Sequence, residues 1–254
     1  IPRQTLFIDI ETTGLYVHSS NLYMIGCAYL DETPDKPACW RTIQWLATNY
    51  EEEIHVLNAF VTFSKTYRYL IHFNGNQFDI PYLQNKMQQY NIPFRFDEFE
   101  GIDIYRRIAP YKTFLKLPDC KQKTIENFVT ATVREDQFTG GELIDVYHEY
   151  VLHHDEEKEH FLLLHNEEDL KGMLEIAAAL AIPDLFRLPV TVTRVQANYY
   201  KDVNQKQCSE IIMNLKLPTA LPTELSYGAN GCYFNGCGID GKLRVPVYEG
   251  ELKY

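Results

Sequence analysis

The stretch FIDIETTGL, residues 7–15, begins as the apolar run of a buried strand and is then interrupted by Asp9 and Glu11. Side chains two residues apart on a strand point to the same face, so this strand aims two carboxylates at one place. Burying one unpaired carboxylate costs several kcal/mol, and two neighbouring carboxylates also repel each other. Either a positive charge belongs between them, or the segment is the solvent-facing edge of an ordinary strand.

The length and composition of the chain leave room for one large domain, or for one domain and an appendage. Its 254 residues are 45% hydrophobic and 13% aromatic, as in proteins with a packed core. The longest apolar run, residues 173–182, is too short to cross a bilayer, so we expect no membrane partner. Six cysteines without the spacing of a disulfide framework indicate a reducing, cytoplasmic location. Because the chain begins at Ile1, we expect it to be a piece of a longer protein.

The hydrophobic pattern predicts an α/β fold followed by a β-rich segment. Strand patterns fall at residues 5–10, 22–31, 38–46, 69–73 and 101–105, and helical patterns at 51–67, from 79 onward, and at 122–133, 141–154 and 156–181. This order predicts a mixed, roughly five-stranded sheet flanked by helices within residues 1–186. Strand segments separated by Pro and Gly then predict a β-rich appendage, residues 187–254, cut short at its end and with a hairpin turn at Asp240–Gly241.

Two further segments place polar residues at fixed spacing. In HFNGNQFDIPYL, residues 72–83, a strand leads through a turn to Asp79 at the start of a helix. In HNEEDLKGMLEIAAALA, residues 165–181, His165 and Asp169 are four residues apart and share one helix face. Each segment also has a simpler interpretation, because first-turn acids stabilise helix dipoles and such His–Asp pairs commonly decorate a surface.

The three segments together predict a metal site. If they converge, they bring together four carboxylates that would repel each other strongly without cations. These carboxylates belong to Asp9, Glu11, Asp79 and Asp169. Carboxylate oxygens suit Mg²⁺ and Mn²⁺, and two such ions can clamp the attacking and leaving oxygens of a displacement at phosphorus. A histidine beside them, His165, can orient or deprotonate the attacking water near neutral pH.

The order and spacing of these segments resemble the three exonuclease motifs of the DEDD (DnaQ-like) superfamily, whose fold is ribonuclease-H-like. DIETTGL is similar to the first motif and NGNQFD to the second, with Asn74 five residues before Asp79, as in the proofreading domains of family B DNA polymerases. In the third motif His165 lies four residues before Asp169, which is the spacing of the tyrosine subclass and not of the histidine subclass. This form, with GIDIYRRI after the second motif and VPVYEGELKY near the end, most resembles the YprB-like bacterial exonucleases; the motifs cover residues 4–181.

The resemblance implies a three-layer α/β fold and a 3′→5′ exonuclease that releases nucleoside monophosphates with two divalent ions, Mg²⁺ or Mn²⁺. Asp9 would bridge both ions, with Glu11 and Asp169 completing the site of the ion that activates the nucleophile. Asp79 would hold the second ion, and His165 would position the attacking water. The residues that would contact the terminal nucleotides are Thr12, Thr13, Leu15, Asn74 and Phe78, although an aromatic residue at a helix start is also typical of a core.

The net charge of −11 argues against a general coat of nucleic acid, but the charge is unevenly distributed. Residues 103–124 carry six basic side chains against two acidic ones, whereas residues 142–175 carry eleven acidic side chains against two basic ones. We therefore expect the basic segment, with its interspersed aromatic residues, to hold a single strand through Arg107 and Lys112. The alternative for this segment is a solvated surface without a partner.

The resemblance implies single-stranded or recessed DNA as the substrate, in DNA repair, with the appendage holding duplex or a partner such as a helicase. RNA stays open as the substrate, because the motifs do not read the 2′-hydroxyl group. A third interpretation is a catalytically silent module of the same fold that binds nucleic acid or protein. A pure binding module, however, has no use for four mutually repelling carboxylates.

Overall fold

A mixed five-stranded sheet lies at the centre of the protein, whose computed structural model describes residues 2–32, 37–130, 135 and 138–247. The strands are β1 (Thr5–Thr12), β2 (Leu22–Asp31), β3 (Cys39–Leu46), β4 (Tyr69–His72) and β5 (Glu100–Asp103). Their order in the sheet is β3-β2-β1-β4-β5. Strand β2 is antiparallel to β1 and β3, whereas β4 runs parallel to β1 and β5. The predicted mixed sheet is therefore confirmed.

Helices cover both faces of this sheet. They are α1 (Glu53–Ser64), α2 (Asp79–Gln89), α3 (Ile104–Ile108), α4 (Gln122–Val129), α5 (Gly140–His153), α6 (Glu156–Ile176) and α7 (Ala181–Arg187). On one face, Phe60 of α1 and Leu83 of α2 share an apolar cluster with Ile8 of β1. On the other face, Leu170 of α6 shares a cluster with Phe7 of β1. The fold has the three layers predicted, and none of its described helices is long and apolar enough to cross a membrane.

The side chains of β1 alternate between the two covered faces, as in any strand. Ile8 and Ile10 lie in the cluster beneath α1 and α2, whereas Phe7 lies in the cluster beneath α6. Asp9 and Glu11 follow the alternation of Phe7 and therefore face α6. Because β1, β4 and β5 are parallel, the segments at their carboxyl ends meet at one edge of the sheet.

The segment after β5 differs from its prediction. The apolar pattern of GIDIY predicts a strand to residue 105, but the strand ends at Asp103 and α3 begins at Ile104. The reason is a helix cap: the Asp103 carboxylate accepts a hydrogen bond from the backbone N–H of Arg106 at 3.2 Å. An aspartate that satisfies the first turn favours a helix over continuation of the strand.

Two predicted helices end earlier than the pattern suggests. The helix predicted at 122–133 is present as α4 to Val129, and residues 131–134 lie outside the described ones. The helix predicted at 156–181 ends at Ile176, and a short 3-10 turn leads into α7. Pro183, which a helix tolerates only in its first turn, explains why a new helix begins just before it.

The C-terminal region forms a separate antiparallel sheet of β6 (Thr191–Lys201), β7 (Gln207–Ala229) and β8 (Cys232–Val247) in that order. Leu215 and Leu221 of β7 share the apolar cluster that contains Ile182 of α7, so the sheet packs on the helical layer. The boundary between residues 1–186 and 187–254 stays a prediction. The last part of VPVYEGELKY, residues 248–254, lies outside the described residues.

The hairpin turn predicted at Asp240–Gly241 is wrong. These two residues lie inside β8, where they pair with Lys216 and Leu215 of β7. The chain instead reverses at Asn230–Gly231, whose φ angles are 50° and 78°. A tight hairpin needs positive φ at both central residues, and Asn followed by Gly adopts that conformation with little strain.

Candidate active site

Asp9 and Glu11 lie near the end of the central strand, where strand pairing fixes their backbone. Their partners on β2 are Gly26 and Met24, respectively. A β-bulge follows immediately, because β2 has one extra residue, Tyr23, opposite the step after Glu11. Bulges bend a strand and redirect side chains, and they occur frequently beside active sites.

Helix α6 brings two of the predicted site residues to Glu11. The His165 Nε2 atom lies 3.4 Å from Asp169 Oδ2 and 3.8 Å from Glu11 Oε1. One possible ligand atom from each of the three residues lies within 4.8 Å of the others. The His165 side chain is only 9% exposed, whereas that of Asp169 is 22% exposed, so the cluster opens to solvent on the Asp169 side.

Asp79 is the first residue of α2 and is buried at the same edge of the sheet. The pKa of its carboxyl group is raised to about 7, chiefly by burial and to a smaller extent by the carboxylates of Asp103 and Asp169. Hydrogen bonds from the backbone of Asp79 and Ile10 act in the opposite direction. The contribution from Ile10 places the end of β1 directly against the start of α2.

The pKa of Asp9 is raised well above its ordinary value. Burial is the largest cause, followed by the carboxylates of Asp169, Glu11 and Asp79, in that order. A hydrogen bond from Asn166 acts in the opposite direction. The four carboxylates predicted from sequence therefore converge on one place, where their ionised forms destabilise one another.

The chemistry of this donor set fits hard divalent cations. Carboxylate oxygens predominate, and the imidazole of His165 adds a nitrogen. Mg²⁺ and Mn²⁺ prefer oxygen ligands, and a bound cation reverses the electrostatic penalty of bringing several carboxylates together. Asp9, Glu11, Asp79 and Asp169 are thus suited to hold such ions.

Asn166 is a site residue that the sequence analysis missed. Its Nδ2 donates a hydrogen bond to Asp9 Oδ2 at 2.8 Å, and its Oδ1 accepts one from Gln44 Nε2 at 3.0 Å. Gln44 also donates to the carbonyl of Leu163, which fixes the amide orientation. Gly26 permits this contact, because a Cβ atom there would collide with Asn166 Oδ1. The sequence contains one signal for this role: Asn166 is a polar residue four positions before Leu170, on the apolar face of α6, where it needs a buried hydrogen-bond partner.

Hydrogen bonds to the Asp103 carboxylate hold the turn that leads from β4 to Asp79. The Asp103 carboxylate accepts hydrogen bonds from the N–H groups of Asn74 at 3.0 Å and Asn76 at 3.3 Å. Asn74 has a φ of 59°, which asparagine tolerates better than most residues, and the Gly75 N–H donates to His72 Nδ1 at 3.1 Å. The side-chain Oδ1 of Asn74 is buried without a hydrogen-bond partner among the described residues. Asp103 therefore has a structural role in holding this turn.

The predicted nucleotide-binding threonines are engaged within their own loop. The Thr12 hydroxyl donates to the carbonyl of Gly14 at 2.9 Å, and the Thr13 hydroxyl accepts from the N–H of Asn21 at 2.8 Å. These bonds shape the loop between β1 and β2. The same loop presents Leu15 to solvent with 77% of its surface exposed.

Leu15 and Phe78 line one cavity of about 250 Å³ beside the start of α2. Phe78 also packs on Tyr82, with ring centroids 5.4 Å apart, so its ring serves both the core and the cavity wall. Tyr16, which was not predicted, is 80% exposed at the same cavity. The cavity therefore offers apolar and aromatic surfaces, and its Phe78 immediately precedes Asp79 in the chain.

Arg107 and Lys112 are exposed on α3 and in the turn after it, outside the carboxylate cluster. Their neighbour Arg106 lies closer to the cluster, with its Nε 3.9 Å from the Asp103 carboxylate. Two aromatic residues of this segment, Tyr111 and Phe114, are partly buried against the apolar cluster, and Phe114 packs edge-on against Phe186 at 5.0 Å. They anchor the segment to the core and leave its cations exposed.

Comparisons with known proteins give a family and distant structural neighbours. The model of the RNase_H superfamily matches residues 6–181. A crystal structure of E. coli Exonuclease I in complex with a dT13 oligonucleotide aligns with 12% identity and a TM-score of 0.40, covering 84% of this chain and 54% of that one. An ExoI/SSB-Ct complex aligns with 10% identity and a TM-score of 0.38, covering 84% and 55%. The chain thus spans about half the length of these structures, and no curated protein matches it.

Proposed function

Since the chain belongs to the RNase H superfamily, we propose that it is a hydrolytic nuclease, and more specifically a metal-dependent 3′→5′ exonuclease acting on DNA. The observation that carries the proposal is the convergence of Asp9 and Asp79 with further carboxylates, which raise the pKa values of both. A cluster of like charges in a largely buried place needs cations when it is ionised. Metal-assisted hydrolysis of a phosphodiester uses such a cluster directly.

Two divalent ions, Mg²⁺ or Mn²⁺, would supply Lewis-acid stabilisation of the attacking and leaving oxygens. In our proposal Asp9 would contribute to both ion positions, Glu11 and Asp169 would complete one of them, and Asp79, at the start of α2, would hold the other. Asn166 keeps the Asp9 carboxylate oriented through its hydrogen bond, as outer residues of metal sites commonly do.

His165 is proposed to handle the proton of the attacking water. Its Nε2 atom points at the carboxylates of Asp169 and Glu11 and therefore into the place where the water would bind. It accepts a proton as the water oxygen forms its bond to phosphorus and the bond from phosphorus to the 3′-oxygen of the penultimate nucleotide breaks. The two neighbouring carboxylates stabilise the imidazolium that results.

The exonuclease specificity is proposed from the surroundings of the carboxylates. The cavity lined by Leu15, Tyr16 and Phe78 suits an unpaired terminal base, because flat apolar and aromatic walls accept any base by stacking. Thr12 and Thr13 shape the loop that would meet the terminal sugar and phosphate. The 3′→5′ direction comes from the resemblance of the motifs to DEDD exonucleases, and the YprB-like subgroup stays a prediction.

The exposed cations after β5 are proposed to hold the rest of the strand. In an acidic protein, Arg107 and Lys112 belong to a local excess of positive charge that can attract phosphates from solution. Asn74, whose buried Oδ1 has no partner among the described residues, is proposed to contact one of the last two nucleotides. DNA repair, a helicase or similar repair partner, and a cytoplasmic location complete the proposal.

Two other functions are distinguishable from this one. An RNA-processing 3′→5′ exonuclease would use the same residues, because none of the described contacts selects against a 2′-hydroxyl group. A catalytically silent binding module would leave the convergence of four carboxylates without a purpose.

The test is a time course with 5′-labelled single-stranded DNA and its RNA counterpart, in Mg²⁺, Mn²⁺ or EDTA. We expect a metal-dependent ladder that shortens from the 3′ end, faster on DNA. Asp9→Asn should abolish it, whereas Asp240→Asn, which removes the same charge from an exposed pair with Lys216 on the C-terminal sheet, should not. Faster cleavage of RNA would support the exoribonuclease, and intact oligonucleotides of both kinds would contradict the nuclease proposal.

A further inference from the structure

Two buried tyrosines stack behind the carboxylate cluster. The rings of Tyr23 on β2 and Tyr147 on α5 lie 4.2 Å apart with an angle of 13° between their planes. Both side chains are fully buried, and among the described residues neither hydroxyl has a partner in good hydrogen-bonding geometry. An unsatisfied buried hydroxyl costs about 1–3 kcal/mol, so each of them calls for a physical explanation.

The position of Tyr23 in the bulge explains where its hydroxyl is directed. It is the extra residue of β2 opposite the step from Glu11 to Thr12, and a bulge re-aims the side chain it carries. Burial raises the pKa of the Tyr23 phenol most, the carboxylates of Glu11 and then Asp9 raise it further, and a side-chain hydrogen bond with Glu11 adds a smaller contribution. The phenol is therefore a protonated hydrogen-bond donor beside a carboxylate.

Tyr147 has different neighbours although it belongs to the same stack. Burial raises the pKa of its phenol, but the next contributions come from Tyr50 and Glu52 and not from the carboxylate cluster. Its ring also meets Tyr50 edge-on at 5.8 Å. The two hydroxyls thus share burial, stacking and the lack of a well-formed hydrogen bond, but only that of Tyr23 interacts with the carboxylate cluster.

We propose that Tyr23 is a positioning residue for Glu11: its hydroxyl donates a hydrogen bond to the Glu11 carboxylate when a divalent cation is bound there. This inference rests on the metal centre of the proposed function. A carboxylate that ligates a cation through one oxygen is oriented by a hydrogen bond to the other oxygen. Cation binding would then turn a poorly formed contact between the buried Tyr23 hydroxyl and Glu11 into a full hydrogen bond, so the two events stabilise each other.

The test measures metal binding directly and does not depend on turnover. Mn²⁺ is titrated into the full chain, and the free ion is followed by its electron paramagnetic resonance spectrum. Tyr23→Phe keeps the ring and the stack but removes the hydroxyl, and we expect Mn²⁺ binding to weaken by about 10–100-fold. Tyr147→Phe is the matched control and should bind Mn²⁺ as the wild type does.

A second measurement separates positioning from general damage to the fold. In EDTA, Tyr23→Phe should melt at the same temperature as the wild type or higher, because it removes a buried hydroxyl that lacks a well-formed hydrogen bond. In a Glu11→Gln background, Tyr23→Phe should have no further effect on Mn²⁺ binding. Equal binding by wild type and Tyr23→Phe, or additive effects of the two changes, would overturn the role of Tyr23 alone. A wild-type chain that binds no Mn²⁺ would overturn the metal centre and, with it, this inference.

Discussion

The protein contains two clusters of buried charge on opposite faces of the same sheet, and they are built in opposite ways. In the first, Lys86 of α2 and Glu53 of α1 form an ion pair of 2.9 Å. The Lys86 ammonium also donates to the carbonyl of Ser20 at 2.5 Å, and the Glu53 carboxylate accepts from the N–H of Leu22 and the hydroxyl of Tyr90. In the carboxylate cluster, by contrast, charges of the same sign face each other.

The difference teaches how to tell a structural buried charge from a functional one. The Lys86–Glu53 cluster is electrically balanced, and it ties the loop between β1 and β2 to both helices of its face. The carboxylate cluster is balanced only when something from outside the chain binds. A buried charge that neighbouring residues neutralise has a structural role, whereas a group of buried charges that repel each other indicates a binding site for a ligand of opposite charge.

The largest effect that would separate the clusters is expected from Asp9→Asn. Cleavage should fall by about a thousandfold or more, equivalent to roughly 4 kcal/mol of activation free energy. The melting temperature in EDTA should rise, because one of several repelling charges is gone. Single-turnover cleavage and thermal melts of the same preparation measure both quantities. A variant that loses stability in EDTA would contradict the description of the cluster as mutually repelling.

Lys86→Met should have the reverse consequence, which is a loss of stability without a loss of cleavage activity. It leaves Glu53 buried without its partner, and breaking a buried pair from one side costs about 3–5 kcal/mol of unfolding free energy. Cleavage per folded molecule should persist at a temperature where the variant is native. Urea denaturation gives the free energy, with Lys216→Met as control, because the exposed pair of Lys216 with Asp240 should contribute about 0–1 kcal/mol.

The pH dependence of stability sharpens the comparison further. The folded chain holds the pKa of Asp79 at about 7, above its ordinary value of 3.8. Without divalent ions the unfolding free energy should therefore be highest near pH 4 and fall as the pH rises through 7, by a few kcal/mol at about 1.4 kcal/mol per pKa unit. Denaturation in EDTA across this range should show the slope, and Asp79→Asn should reduce it. Saturating Mn²⁺ should remove the decline in the wild type, and an unchanged slope in both would contradict the expectation.

The smallest effect is expected from an exposed charge that belongs to neither cluster. Lys112→Ala should weaken binding of a single-stranded oligonucleotide only a few-fold and reduce the slope of log affinity against log salt by about 0.7. Fluorescence anisotropy in EDTA at several salt concentrations measures both. Lys65→Ala, an equally exposed change at the end of α1, should leave the slope unchanged; equal effects of the two would mean that phosphates are not held after β5.

Much of the fold could be predicted because its patterns are local. The apolar runs of β1 and β2 are buried on both faces, and such runs need no knowledge of their partners. The turn at Asp240–Gly241 could not be predicted in this way, since pairing with β7 decides it and another turn sequence, Asn230–Gly231, forms the hairpin. The end of β5 was missed for a related reason, because a cap at Asp103 outweighs the strand pattern.

The candidate site could be predicted only as far as its motifs reach. The convergence of the four carboxylates follows from their positions near the end of β1, at the start of α2 and within α6. Asn166 and Gln44 were missed because their roles depend on how closely α6 packs on β2 and β3, which no spacing along the chain expresses. Tyr23 was missed because its direction depends on a bulge, and bulges are set by pairing between strands.

The close packing of α6 on β2 predicts which mutations the protein tolerates at Gly26. A methyl group there would collide with Asn166 Oδ1 and would lie 2.8 Å from the Leu170 side chain, so either Asn166 would have to move and give up its hydrogen bond to Asp9, or helix α6 would have to retreat from the sheet. A saturation library selected for activity should therefore reject almost every replacement of Gly26, as strictly as replacements of Asp9. A tolerance map of this protein would mark as catalytic a residue that has no side chain at all.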